Sequence, residues 1–228
     1  MYKNKTFLAV VPARGGSKRL PRKNLLDLAS KPLIAYSIEA GLQSKYIDKV
    51  VVSSDDEEIL NISEKFGAQI INRPDYLATD TASTFDAVKH TIDSLESYDY
   101  IVLLQPTSPL RNSVHINEAI ELLEERDADA VVSVCEMEHS PLWSNTLPND
   151  GSMYKFLKDE VAGKRSQDLE KHYRVNGAIY ICKVNRFLKE KTFFFKDNIF
   201  AYRMDKHDSI DIDEKIDFKL AEVLLSNP

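Results

Sequence analysis

Two stretches far apart in the chain carry residue types suited to phosphate chemistry. The first is PARGGSKRLPRKN, Pro12–Asn24. It packs Arg14, Lys18, Arg19, Arg22 and Lys23 into ten residues of a chain whose formal net charge is −6. Gly15 and Gly16 have no Cβ, so the backbone can turn sharply there and approach a ligand closely. Pro12 and Pro21 stiffen the ends of the loop. Such a loop suits a triphosphate: backbone N–H groups meet the oxygens while Lys and Arg offset their charge. The spacing is neither the Walker G-x-x-x-x-G-K-[ST] nor the dinucleotide G-x-G-x-x-G. A solvated surface loop has the same composition.

The second stretch is SIDIDEKID, with Asp211 and Asp213 two residues apart. In an extended segment both carboxylates point to one side. Two hard oxygen donors can hold Mg²⁺, which keeps several waters and takes phosphate oxygens as its other ligands. The same residues also read as a helix start, one Asp capping and Glu214 and Asp217 in the first turns. One Asp can cap while the other binds metal.

The elements that must position these stretches can be read from periodicity. Phe7–Val11 is a continuous apolar run, the signature of a strand buried on both faces. Pro32 can open a helix that continues through Leu33, Ile34, Ile38 and Leu42. Val50–Val52 reads as a second buried strand, and Ser54 or Asp55 can cap the helix after it. Ala68–Ile71 is a short strand. Ser83 onward is a helix through Phe85, Val88, Ile92 and Leu95. Tyr100–Leu104 is another buried strand, Val114–Glu125 an amphipathic helix, and Ala130–Val134 a strand. This alternation implies an α/β fold with a parallel sheet covered on both faces. Ligands then bind outside the carboxyl ends of the strands. The loops there are Pro12–Asn24, Ser53–Asp56, Asn72–Thr84 and Gln105–Arg111, all polar.

Residues Met137–Tyr173 break the rhythm with Pro141, Pro148, Gly151 and Gly163, and read as a hairpin, flap or dimerisation arm. Strand character returns in RVNGAIYICKV and in FAYRM. Lys215–Leu225 reads as a helix with Ile216, Leu220, Val223 and Leu224 on one side. At 228 residues, 43% apolar and 29% charged, the chain has material for one large domain, or a domain plus a lobe. No apolar run approaches the roughly 20 residues of a membrane span, and FLAVV is too short for a signal-peptide core. Cys135 and Cys182 match no metal or redox spacing, which suggests reduced core thiols in a cytoplasmic protein. An acidic balance argues against general nucleic-acid binding.

Five stretches in order carry a family resemblance: PARGGSKRLPRKN, RPDYLATDTAS (Arg73–Ser83), LLQPTSPLR (Leu103–Arg111), NGAIYI (Asn176–Ile181) and DSIDIDEKIDF (Asp208–Phe218). Together they resemble the motifs of the acylneuraminate cytidylyltransferases, and MEHSP (Met137–Pro141) is similar to the bacterial form. The resemblance covers nearly the whole chain. It implies a Rossmann-like, three-layer nucleotidyltransferase over residues 1–228, with a mostly parallel central sheet and a small dimerisation and substrate-lid excursion at about 137–173. The implied reaction is CTP plus N-acetylneuraminate giving CMP-N-acetylneuraminate and diphosphate, by in-line attack of the anomeric oxygen on the α-phosphate. Legionaminate is the alternative sugar, and 3-deoxy-manno-octulosonate a more distant one. A catalytically silent nucleotide-binding module is the alternative from another class.

The resemblance also implies roles. Arg14, Gly15, Ser17, Lys18, Lys23, Asn24, Arg73, Ala82 and Ser83 fall to CTP. Gln105, Arg165, Arg174, Asn176, Tyr180 and Phe194 fall to the sugar, with Arg165 on an arm that reaches the neighbouring subunit of a homodimer. Asp211 and Asp213 carry Mg²⁺, with Mn²⁺ as a substitute, and act in catalysis with Arg14 and Lys23. By residue type alone, Asp80 and Ser83 read equally as a helix cap and its first turn, and QPTSPL as a structural turn. No residue declares itself a general base; a metal-bound hydroxide or Asp211 is available for the anomeric proton.

Overall fold

The run Phe7–Pro12 forms β1, an interior strand of a seven-stranded sheet. In chain order there follow β2 (Asp27–Leu28), β3 (Lys31–Pro32), α1 (Leu33–Leu42), β4 (Lys49–Ser54), α2 (Glu57–Lys65), β5 (Gln69–Asn72) and α3 (Thr84–Asp93). The second half holds β6 (Tyr100–Leu103), α4 (Ser113–Glu125), β7 (Ala130–Glu136), β8 (Tyr173–Lys183), α5 (Val184–Glu190), β9 (Ile199–Met204) and α6 (Lys215–Ser226). The computed structural model describes residues 2–226. β2 and β3 pair only with each other, and the large sheet runs β5-β4-β1-β6-β8-β7-β9. β2 and β3 are antiparallel; in the large sheet β8 is antiparallel to β6 and β7 and the other pairs are parallel.

The unbroken apolar character of β1 has a direct cause. Phe7, Ala9 and Val11 pack with Ile34 and Ile38 of α1 and Ile116 and Ile120 of α4. Leu8 and Val10 pack on the other face with Val88 of α3 and Phe187 of α5. These five of the six β1 residues are at most 1% exposed. A strand sandwiched between two helix layers has no solvent face on which a polar residue could sit, which gives the expected three-layer α/β architecture.

Helix starts show where local chemistry chose between candidates. Ser83 caps α3, its hydroxyl accepting from the Asp86 N–H at 3.1 Å. The cap of α2 is Asp56, not Ser54 or Asp55. Its Oδ1 accepts from the N–H groups of Glu58 and Ile59, both at 3.0 Å. The helix begins one residue later than expected, so Ser54 accepts from the Asp56 N–H and Asp55 turns to the Gly15 N–H at 3.2 Å. Asp56→Ala should cost about 1 kcal/mol and lower the melting temperature by about 2–4 °C. A melting curve matching the wild type would remove the cap from the account.

The C-terminal helix reverses an expectation. Ile216, Leu220 and Val223 are exposed, whereas Ala221 is buried and Phe218 and Leu225 pack inward against Leu28 and Leu33. Both sets recur at helical spacing, and the docking surface chose the second. Residues 137–172 contain only two 3-10 turns, Pro141–Trp143 and Ser166–Asp168. The excursion leaves and returns at one neck, where the Met137 N–H donates to the His172 carbonyl at 2.9 Å. Cys135 and Cys182 are buried free thiols. Among the described residues no helix is long and apolar enough to cross a membrane.

Candidate active site

Parallel strands ending side by side leave their following loops at one edge of the sheet. Here those loops enclose a cleft of about 600 Å³. Its walls include Arg14, Ser17, Lys18, Arg19, Lys23 and Asn24 from the loop after β1. Arg73, Asp80, Ala82 and Ser83 come from the segment after β5, and Gln105 and Thr107 from the loop after β6. Asp213 joins them from the far end of the chain. The cationic loop and one of the paired aspartates therefore share one cavity.

The loop after β1 is held by its small and polar residues. A Cβ on Gly15 would lie 2.6 Å from Asp56 Oδ2, so only glycine fits against the α2 cap. Asn24, 6% exposed, donates from Nδ2 to the Arg14 carbonyl at 3.1 Å. Arg22 has φ 57° and turns away to Asp56, at 2.5 Å, and to Glu58. That turn sends the next side chain, Lys23, inward. The Lys23 ammonium donates to the Ile212 carbonyl and lies 3.5 Å from Asp213 Oδ1. Arg19 reaches Asp213 Oδ2 at 2.7 Å.

The other loop cations meet Asp80. Arg14 lies 3.0 Å from its Oδ1 and Lys18 2.5 Å from its Oδ2. Bonding to Lys18 is the main reason its carboxyl sits below the usual range. Asp80 is thus a counter-ion to the phosphate-type loop and not the helix cap that residue type equally allowed. Arg73, 5% exposed, stands 3.5 Å from Asp55 Oδ1. Burial lowers its guanidinium from the ordinary value, with Asp55 opposing.

Asp211 stands beside the cleft, next to the Thr107 side chain and within electrostatic reach of Asp213, Lys23 and Arg174. Its residue surface is open to solvent, yet protein atoms crowd its carboxylate. The crowding dominates its proton affinity. Removal of bulk water raises the carboxyl above its ordinary value, Thr107 opposes, and the like charge of Asp213 raises it further. This pair fits Mg²⁺. The donors are hard oxygens whose mutual repulsion a cation would relieve, and among the described residues no third acidic, His or Cys group completes an all-protein site. That is the donor count expected when waters and phosphate oxygens supply the remaining ligands.

The residues assigned to the sugar scatter more. Gln105 lines the cleft. Arg174 pairs with Glu138 at 3.0 Å, which raises its guanidinium. Tyr180 is half-buried with its ring 5.6 Å from Phe193 and 6.1 Å from Phe194, and burial raises its hydroxyl. Phe194 is 53% exposed. Arg165 lies on the excursion, paired with Asp168 at 3.0 Å, outside the cleft walls. Asn176 is 1% exposed, with its amide oxygen and nitrogen both bonded inside the protein. As placed, no ligand can touch it. Residue type gave Arg19 no role beyond its charge in the loop and gave Thr107 none; the signal for Thr107 is its place between Pro106 and Pro109.

The family model described as cytidylyltransferase matches residues 8–227. The chain is 42% identical over 216 residues to the N-acylneuraminate cytidylyltransferase of Escherichia coli O18:K1:H7, covering 94% of this chain and 51% of that protein. It is 38% identical over 222 residues to the pseudaminic acid cytidylyltransferase of Campylobacter jejuni serotype O:23/36, covering 95% of each. It is 36% identical to the CMP-N,N'-diacetyllegionaminic acid synthase of Legionella pneumophila, covering 96% of each. The chain spans about half the length of the curated N-acylneuraminate relatives it matches. In architecture it is similar to CMP:2-keto-3-deoxy-manno-octonic acid synthetase complexed with CTP, with TM-score 0.73, 18% identity, and 97% and 98% of the two chains covered. At that identity the likeness concerns the fold alone.

Proposed function

The chain belongs to the cytidylyltransferase family, and we propose that it activates a sialic acid: CTP plus N-acetylneuraminate gives CMP-N-acetylneuraminate and diphosphate. The observation that carries this reading is the single cleft in which Lys23 and Asp213, 190 positions apart, lie 3.5 Å from each other. The α-phosphorus is attacked by the anomeric oxygen of an anionic sugar, so positive charge must already be in place as charge moves to the leaving diphosphate. Arg14, Lys18 and Lys23 supply it, leaving Asp80 and Asp213 for the phosphates. Asn24 keeps the Arg14 carbonyl in place, and Ala82 and Ser83 wall the nucleoside side. Asp211 and Asp213 would hold Mg²⁺, which supplies charge neutralisation at the phosphoryl oxygens. On the sugar side, Gln105 offers a donor and an acceptor to hydroxyls, Arg174 suits the sugar carboxylate, and Tyr180 and Phe194 offer an apolar wall to the N-acyl group.

The excursion supports a homodimer. It exposes Leu147, Met153, Tyr154 and Leu157, and Arg165, outside the walls of its own cleft, would exchange Asp168 for a neighbour's sugar. Buried reduced thiols suit work in the cytoplasm. A second reading keeps the chemistry and changes the sugar to legionaminate or pseudaminate, favoured by relatives of the same length that are named for those sugars. Diphosphate release from CTP with each sugar, with and without Mg²⁺, tests both readings. Release with N-acetylneuraminate fastest supports the first; no release with any sugar or metal rejects both.

One prediction concerns the resting cleft. Asp80 occupies the cations that the triphosphate needs, so Asp80→Asn should tighten CTP binding by a small factor. Titration calorimetry at low salt checks this. Weaker binding would show that Asp80 serves the bound nucleotide instead.

A further inference from the structure

Strand β8 does not run smoothly beside the cleft. Its register with β7 shifts between Val132 and Val134, and Gly177, beside the slip, takes φ 79°. Glycine adopts that conformation at little cost. Space demands it as well: a Cβ there would lie 3.0 Å from Gln105 Oε1 and 3.6 Å from Asp211 Oδ2. The sugar-side amide and the metal-side carboxylate therefore meet over a residue with no side chain.

The preceding residue ties this bulge to the segment bearing both aspartates. Asn176 Oδ1 accepts from Ser133 Oγ at 2.6 Å and from the Ala178 N–H at 3.2 Å. Its Nδ2 donates to Ser209 Oγ at 2.9 Å, and Ser209 Oγ donates to the Asp205 carbonyl at 2.6 Å. All three side chains, Ser133, Asn176 and Ser209, are at most 1% exposed. Three residues further on, the Ile212 N–H donates to the Thr107 carbonyl at 2.8 Å, with the Ile212 side chain fully buried. Asp211 thus stands between two buried anchors, Ser209 and Ile212. A satisfied buried network is rigid and specifies one arrangement, because every alternative leaves a polar group unpaired.

We infer that Asn176 and Ser209 are positioning residues: their hydrogen bond fixes the Asp211 carboxylate over Gly177 and beside Gln105, and neither side chain touches substrate. The kinetic part of this inference rests on the nucleotidyl-transfer reading above; the mechanical part does not.

The test uses Ser209→Ala and Asn176→Ala in the full chain, with two measurements. Amide hydrogen exchange across residues 208–213 should quicken by about tenfold or more, since loss of an anchor opens the segment locally. With CTP and Mg²⁺ saturating, kcat should fall about tenfold or more while the sugar KM stays within about twofold, as expected for a displaced catalytic group. A sugar KM raised tenfold with exchange unchanged would make Asn176 a substrate contact and overturn the inference. Unchanged kcat with unchanged exchange would overturn it equally. If Asn176→Ala does not fold, Ser209→Ala, which removes one oxygen, decides. A wild-type chain that releases no diphosphate would sink the functional reading alone. Exchange would then decide by itself, faster exchange supporting the anchor and unchanged exchange rejecting it.

Discussion

Lys23→Ala lowers kcat by about 10²–10³-fold, the range seen when one preorganised donor to a developing charge is removed, while the sugar KM moves little. The reason lies in how the ammonium is held. Its side chain is 12% exposed, and its Nζ is fixed between the Ile212 carbonyl and Asp213. A charge already desolvated and oriented costs no reorganisation when the leaving diphosphate gains charge. An interaction that strengthens toward the transition state shows itself in kcat more than in KM. Lys23→Arg should recover only part of the rate, because a planar fork does not reproduce a point charge in a fixed slot. Steady-state kinetics in both substrates check this. A rise in sugar KM with kcat unchanged would move Lys23 to ground-state binding.

The second large effect is expected at the aspartate pair. Asp213→Ala removes one of two hard donors and frees Arg19 and Lys23 from their resting partner. Activity should fall by about 10²-fold or more, since metal neutralisation of phosphoryl charge is worth several kcal/mol and each 1.36 kcal/mol is tenfold. Excess Mg²⁺ should restore only part of it. Asp211→Asn keeps the shape but loses the charge, and should show the same weakened Mg²⁺ dependence. Mn²⁺ binding followed by electron paramagnetic resonance gives a readout independent of turnover. Unaltered Mn²⁺ affinity in both variants would remove the pair as metal ligands.

The two largest expected effects thus sit at opposite ends of the sequence, at groups that residue type alone puts forward as candidates. A dense cluster of cations beside paired glycines, and two carboxylates at alternate positions, are unusual compositions whose chemistry follows from residue type. The strands were equally legible. Phe7–Val11 is apolar without interruption because both of its faces are covered, and no partner needs to be known to see that. The helix from Ser83 onward was legible too, although its cap fell to Ser83 and not to Asp80. Four polar loops at strand ends pointed to one edge of the sheet.

Other features depended on what packs against what. In α6, Ile216, Leu220 and Val223 and the set Phe218, Ala221 and Leu225 have equal claims by spacing, and only the Leu28–Leu33 surface chose between them. Asp80 reads as a cap until Arg14 and Lys18 are seen across the cleft. Asn176 sits in a motif beside Tyr180, yet the bulge turns its amide inward. β8 lies between β6 and β7 and runs against both, which its apolar pattern cannot report, since a buried strand reads alike in either direction.

From its sequence alone, this chain determined the types of group available and the local geometry of each element, because side-chain chemistry and backbone periodicity are properties of near neighbours. Only the tertiary structure decided which distant groups meet, which face of a helix is covered and which polar side chains turn inward. Those outcomes depend on contacts between residues far apart in the chain, and no local pattern encodes them.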